Sequence, residues 1–371
     1  MGANQDKLAD TEVYKLAPGD IDHMFRRSGL TGNHLSPFTY NAEQAAGSRP
    51  SELFKALSES PKFRQITKQL LEPDLKIEYK SGGSGTADDQ YYTLLASDGQ
   101  SVLVQLINSQ GEILLVLFPD WEKYLEWWTG LYASPGMSVY QAVFPDVMAT
   151  EVLVCAVHCV DIYRRSYMES MLDYSGSLNL SLTTQDFVQL LKRSLSSKDK
   201  RWLLPAMFEV TPGLKNSRIA LKPEHIKQVA ELGFVTSKEA ILTLGERSRI
   251  MGTEFITSWM GATGWQATAL FVGEERSLSR VVLAPTAFAN HLFSFETGPG
   301  GESRFRHQAG TIPELTQSLV QWMESLRKTA ASGAVNVKTA EERAPRVKFC
   351  GHCGSKIRPG KKFCTSCGNA V

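Results

Sequence analysis

Four closely spaced cysteines carry the most explicit chemistry in the chain. They are Cys350, Cys353, Cys364 and Cys367, arranged as Cys-x2-Cys, ten residues, Cys-x2-Cys. Two residues between cysteines let one tight turn aim both sulfurs at one ion. Two such turns supply four thiolates, a closed tetrahedral set that suits Zn²⁺, with iron as the competing ion for the same donors. Gly354 and Gly368 follow the second cysteine of each pair, where a knuckle turn often needs a positive φ. Phe349 and Phe363 precede the pairs and provide what little apolar packing so short a segment has. A closed site is structural. Its metal supplies folding energy, on the order of 10 kcal/mol, and no open position for a substrate. His352, inside the first pair, reads as a solvent-facing residue rather than a ligand.

This stretch resembles the small zinc-ribbon modules found at the ends of many bacterial and archaeal proteins. The resemblance implies one structural zinc ion on the four cysteines. Residues 341–371 hold seven Lys or Arg against two Glu. With four thiolates and Zn²⁺ in place the segment stays mildly basic, whereas acidic residues outnumber basic ones by four in the remainder. Lys356, Arg358, Lys361 and Lys362 are therefore candidate nucleic-acid contacts. A solubilising handle or a protein-docking knob fits the same charges, and no base-stacking aromatic array accompanies them.

Elsewhere the chemistry-bearing types do not converge in sequence. Cys155 and Cys159 share a helix face at i, i+4 with His158 between them. Their setting, VLVCAVHCV, points to small buried hydrophobes rather than to ligands. The GGSGT run at 82–86 lacks the Gly-Lys-Ser/Thr ending of a phosphate loop and reads as a hairpin connection. Ser325 and Lys328 match Ser-x-x-Lys by chance spacing on an amphipathic helix. No HExxH and no paired-carboxylate motif is present, which points away from an enzyme without excluding a dispersed site. Trp121, Tyr124 and Trp128 fall at helical spacing with Trp127 beside them. They form either a core stripe or an exposed aromatic edge for a partner's helix or peptide.

The elements around these residues follow from period and punctuation. The chain has 371 residues, 42% hydrophobic and 21% charged, with a net charge of +1. That is a globular composition and not that of a nucleic-acid-coating protein. The start shows no secretory pattern. The longest uncharged apolar runs, 113–118 and 152–160, fall short of the ~20 residues of a membrane span, so a cytosolic, cytoplasmic protein is expected. Residues 1–50 read as a polar arm with one short helix at 20–27. Ser51 caps a helix over 51–71 that Pro61 divides. Short β-rich runs at 75–79, 91–96, 102–107 and 113–118, separated by Gly-containing turns, predict a four-stranded meander. A helix from Pro119 to about residue 131 closes it. Helices are then expected over 146–174, 183–196, 199–208, 223–232 and 242–260. Strands follow at 265–272, 279–284, 289–296 and 303–307, and then a helix at 313–327.

The chain thus states one theme twice: helices, a short meander, a Pro-led helix containing Trp. The expected fold class is α+β, with two pseudo-symmetric halves whose strands share one sheet, plus a C-terminal ribbon. The boundaries are 1–50 (arm), 51–145 (first half), 146–328 (helical segment and second half), 329–348 (flexible linker) and 349–371 (ribbon). Over 51–328 this element order resembles the EspG-type chaperones of type VII secretion. The resemblance implies a cytosolic α+β protein that binds a helical substrate, and it carries over no binding residue. The expected function is a non-enzymatic adaptor or chaperone-like protein that holds a partner protein, with the ribbon as an accessory contact. The alternatives are a nucleic-acid-associated regulator acting through the ribbon and an enzyme with a dispersed site.

Overall fold

The structure is a computed structural model. It describes residues 11–40, 49–82, 90–95, 101–107, 111–136, 144–211, 219, 221–256, 262–271, 274–297 and 303–341.

The first half begins with β1 (Glu12–Leu16) and the helices α1 (Asp20–Ser28), α2 (Glu52–Glu59) and α3 (Phe63–Leu71). Four strands follow: β2 (Leu75–Gly82), β3 (Gln90–Leu95), β4 (Val102–Ile107) and β5 (Ile113–Phe118). Helix α4 (Trp121–Tyr132) closes the half. The second half repeats the order with β6 (Val147–Ala149), then α5 (Thr150–Leu172), β7 (Ser181–Thr183), α6 (Thr184–Ser196), α7 (Leu203–Glu209) and α8 (Pro223–Glu231). The hairpin β8 (Val235–Lys238) and β9 (Ile241–Leu244) and helix α9 (Glu246–Ile256) come next. A second meander consists of β10 (Ala262–Phe271), β11 (Glu274–Pro285), β12 (Asn290–Thr297) and β13 (Ser303–Gly310), closed by α10 (Ile312–Glu341).

All strands but β7–β9 form one ten-stranded sheet, ordered β1-β5-β4-β3-β2-β10-β11-β12-β13-β6. The order reads alike from both ends: each meander carries at its outer edge the strand that opened its half. The meanders meet through their first strands, β2 and β10, paired antiparallel from Leu75↔Ala269 to Gly82↔Ala262. A sheet this wide must bury both faces. On one face Ile77, Tyr79, Val104, Val281 and Leu283 lie under α4 and α10. The opposite face is covered by α1–α3 over the first half, around Met24, Ile66 and Leu115. Over the second half it is covered by α5–α9, around Val157, Phe234 and Phe293.

Local sequence explains the element ends. Ser51 Oγ accepts from the Phe54 amide at 3.1 Å, and Asp120 Oδ1 accepts from the Lys123 amide at 2.8 Å, each satisfying an orphan donor of a first turn. Gly29 closes α1 with φ +70°, the left-handed geometry glycine adopts freely.

Several expectations need correcting. The polar arm expected over 1–50 carries a strand as well as its helix: β1 pairs with β5, and Leu16, Ile21, Met24 and Phe25 are buried. The helix expected over 242–260 begins only at Glu246, because Ile241–Leu244 is a strand whose alternate residues Leu242 and Leu244 are buried. Its hairpin turns at Glu239 with φ 57°, a position with no glycine to advertise it. Residues 329–341, placed in the linker, continue α10. The alanine-rich run there favours helix, and no proline intervenes before Pro345.

Candidate functional site

Helix α5 organises the described surface. Its apolar stretch sends Val154, Cys155, Val157, Cys159 and Val160 into the second-half core. A different stripe, at i, i+3, i+4 and i+7, faces α6 and the start of α7. His158, Asp161, Ile162, Arg165, Met168, Glu169 and Leu172 on that stripe, with Leu190, Arg193, Trp202 and Pro205 opposite, line a largely apolar cavity of about 450 Å³. A second cavity of about 310 Å³ adjoins it and shares Ile162, Arg165, Glu169, Leu190 and Arg193. Its remaining lining is mostly polar, including Ser166, Asn179, Asp186 and Gln189. Together they make one groove with an apolar and a polar compartment. At that end of α5, Met171 and Leu172 are exposed, as is Tyr174 just after the helix. The volume falls in the range of sites that bind small molecules or side-chain anchors.

The groove is anchored by a buried ion pair. Asp161 Oδ1 accepts from Arg164 Nη1 at 3.0 Å and from the Leu203 amide at 2.9 Å, and Oδ2 accepts from the Leu204 amide at 2.9 Å. One carboxylate on α5 therefore caps the first turn of α7. Burial pushes the Asp161 carboxyl up, while Arg164 and the two amides pull it back. The Arg164 guanidinium also donates to the Arg201 carbonyl at 2.8 Å and lies 5.5 Å over the Trp202 ring. At the rim, Arg165 is held by Glu169 at 2.7 Å.

His158 differs from its neighbours. It is 3% exposed, and neither ring nitrogen has a hydrogen-bond partner. Burial lowers its imidazole to about 4, with the Phe187 backbone acting in the opposite direction. The ring rests edge-on against Phe187 at 5.0 Å. Its neighbours Cys155 and Cys159 are free, buried thiols. Burial raises Cys155 to about 12 and Cys159 well above its usual range. A nucleophile or metal ligand must be a thiolate, so both pack as small hydrophobes.

The fold also assembles a constellation that is dispersed in sequence. Glu254 on α9 meets His291 Nε2 at 2.8 Å, and His291 Nδ1 meets His307 Nε2 at 3.0 Å. Thr286 Oγ1 donates to Glu254 Oε1 at 2.9 Å. His307 is lowered to about 3 by burial and then by the neighbouring His291, and its backbone partner is Phe144. With one nitrogen of His307 on His291, which of the two rings donates depends on their tautomers. The arrangement has the outline of a catalytic relay, yet the three side chains are 0%, 2% and 7% exposed, closed in by Phe144, Phe255 and Phe293. No substrate reaches them. They pin α9 to β12 and β13. Sequence reasoning missed them because 37 residues separate Glu254 from His291, and only the strand pairing of β12 with β13 brings the histidines together.

The aromatic residues of α4 are core. Trp121, Tyr124 and Trp128 are buried, Trp127 packs half-buried against the same cluster, and the Tyr124 hydroxyl accepts from Thr93 at 3.1 Å. The exposed-edge reading of these four residues is therefore withdrawn. The stripe faces the shared sheet because α4 needs its apolar side there.

Cys350, Cys353, Cys364 and Cys367, and the candidate contacts Lys356, Arg358, Lys361 and Lys362, lie outside the described residues. Among the described residues no group of three or more His, Cys, Asp or Glu is placed to hold a metal, and no helix is long and apolar enough to cross a membrane. The donor set of the tail, two Cys-x2-Cys pairs, fits zinc. No curated protein matches the chain. Residues 349–371 match the family model described as a zinc-ribbon domain, and that segment of the chain is accordingly a zinc ribbon.

Proposed function

We propose that the protein is a non-enzymatic adaptor that holds a segment of a partner protein in the groove between α5, α6 and α7. The zinc ribbon, one structural Zn²⁺ on Cys350, Cys353, Cys364 and Cys367, serves as an accessory contact, and the setting is the reducing cytoplasm. In this reading residues up to 341 act as one body, to which 349–371 is appended. The observation that carries it is the groove itself. It is concave and open, its larger compartment is mostly apolar, and three of the charged groups that line it are spent on structure. Asp161 is committed to Arg164 and two amides, and Arg165 to Glu169. No nucleophile with an adjacent base lines it.

Affinity purification of full-length protein and of residues 1–341 from native cells, with and without nuclease, tests this. One or two stoichiometric polypeptides retained by 1–341 after nuclease treatment, and lost from a Leu190→Glu variant, are expected. Partners that disappear with nuclease or with the tail would transfer the function to the ribbon. Lys356, Arg358, Lys361 and Lys362 would then be its nucleic-acid contacts.

A further inference from the structure

Helix α5 ends in an apolar tip. Met171 and Leu172 are exposed, and Tyr174, just after the helix, is 97% exposed. No other four-residue stretch among the described residues exposes three large apolar side chains. Tyr174 stands where helices commonly close on glycine. Its φ of 52° is a conformation that a residue with a Cβ adopts at a cost. The turn is nevertheless fixed: the Ser175 amide donates to the Ser170 carbonyl at 2.8 Å, and the Ser170 hydroxyl donates to the Ser175 carbonyl. A bulky aromatic is thus held out in water on a rigid turn, the form of a preorganised anchor.

The tip adjoins a socket of the same chemistry, since Leu172 also lines the apolar compartment of the groove. With Asp161 buried on Arg164, the other charges that line the two compartments balance: Arg165 and Arg193 against Glu169 and Asp186. A surface of one sign would repel its own copy. A balanced one that carries both knob and socket is self-complementary.

The helix sets the register. In two antiparallel α5 helices related by a two-fold axis at the level of residue 167, Arg165 of each copy lies opposite Glu169 of the other, and Leu172 opposite Ile162. Tyr174, about 10 Å along the helix from that axis, then lies at the level of residue 160 of the other copy, between His158 and Ile162 in the apolar compartment. Within one chain Arg165 uses only Nε on Glu169 Oε1, so its two Nη groups remain for the second carboxylate.

We infer that a second copy of this chain closes the groove when no partner fills it. Each copy seats Tyr174 in the apolar compartment of the other, across two reciprocal Arg165–Glu169 contacts. The inference rests on the adaptor reading for what displaces the second copy. Two tyrosines at about 200 Å² each, with as much again from the walls that receive them, bury on the order of 800 Å², about half of a standard stable interface. The dimer is therefore a dissociable one.

Sedimentation equilibrium of the zinc-loaded full chain from about 1 to 300 µM tests it. The native chain should pass from monomer to dimer across that range. Tyr174→Ser should weaken the dimer about tenfold or more, with an unchanged melting temperature because the side chain is exposed. Arg165→Glu makes the facing charges all acidic, and Glu169→Arg makes them all basic. Each variant should be monomeric alone, and the two should pair when mixed in equal amounts. A native chain that stays monomeric at about 300 µM, or a dimer unaffected by Tyr174→Ser, overturns the inference. Charge variants that dimerise alone, or that fail to pair when mixed, overturn it as well. The adaptor reading stands or falls separately, on the polypeptides recovered from native cells and their dependence on Leu190.

Discussion

Acid should unfold this protein through its buried histidines. His158 and His307 are nearly inaccessible, and burial lowers their imidazoles to about 4 and about 3. In the unfolded chain both titrate near the ordinary value of about 6.5. The unfolded chain therefore takes up these protons first. Stability from both groups is complete above about pH 6.5 and is lost as pH falls toward the folded values. Each group contributes a slope of about 1.4 kcal/mol per pH unit. Between about pH 6.5 and 4 the two together remove about 2.7 kcal/mol per unit, so two units remove roughly 5 kcal/mol, comparable to the whole stability of many domains. The diagnostic variant is His158→Leu. It removes one titrating group and one unsatisfied polar side chain. The slope should halve, and stability at pH 7 should rise by about 1–2 kcal/mol. Urea denaturation midpoints at pH 7, 6 and 5, native against variant, measure both quantities. An unchanged slope in His158→Leu, or a native midpoint that does not move with pH, would refute the reasoning.

Three further outcomes follow from the packing and the tail. Asp161→Asn leaves Arg164 buried without its counter-charge and weakens the cap on α7, so a loss of about 3–5 kcal/mol is expected. Calorimetric melting checks it, and a loss below about 1 kcal/mol would contradict the ion-pair account. Gly252→Ala drives a Cβ into the Tyr163 ring at the α5–α9 contact, and a cost of about 2 kcal/mol or more by denaturant titration is expected. Cys364→Ser should lower bound zinc from one ion per chain to below half by elemental analysis, while the melting of the body is unchanged.

What could be read from sequence was local. The meanders announce themselves through alternation and Gly-containing turns, and the two Pro-led helices through their caps. The cysteine pairs need no fold at all to be recognised. What could not be read depends on partners distant in the chain. Strands β1 and β6 are only five and three residues long, and they exist because β5 and β13 offer edges. The hairpin β8–β9 turns at Glu239 without glycine or asparagine, so its aliphatic run passes for the start of α9. The relay of Glu254, His291 and His307 arises from cross-strand geometry. The stripe on α4 was ambiguous for a different reason. Helical spacing shows that Trp121, Tyr124 and Trp128 share a face, but only the sheet shows which way that face looks. For the same cause His158 could be placed beside two cysteines in sequence, yet its unpaired state became visible only with α6 in position.

The most direct measurement is site-specific photo-crosslinking in native cells, with a benzophenone side chain in place of Met168 inside the groove and, as control, in place of Ser58 on α2. The account predicts a discrete polypeptide adduct from position 168, absent from position 58 and lost in the Leu190→Glu background. Equal labelling from both positions, or no polypeptide adduct from position 168 in cells that express the protein at native level, would contradict it.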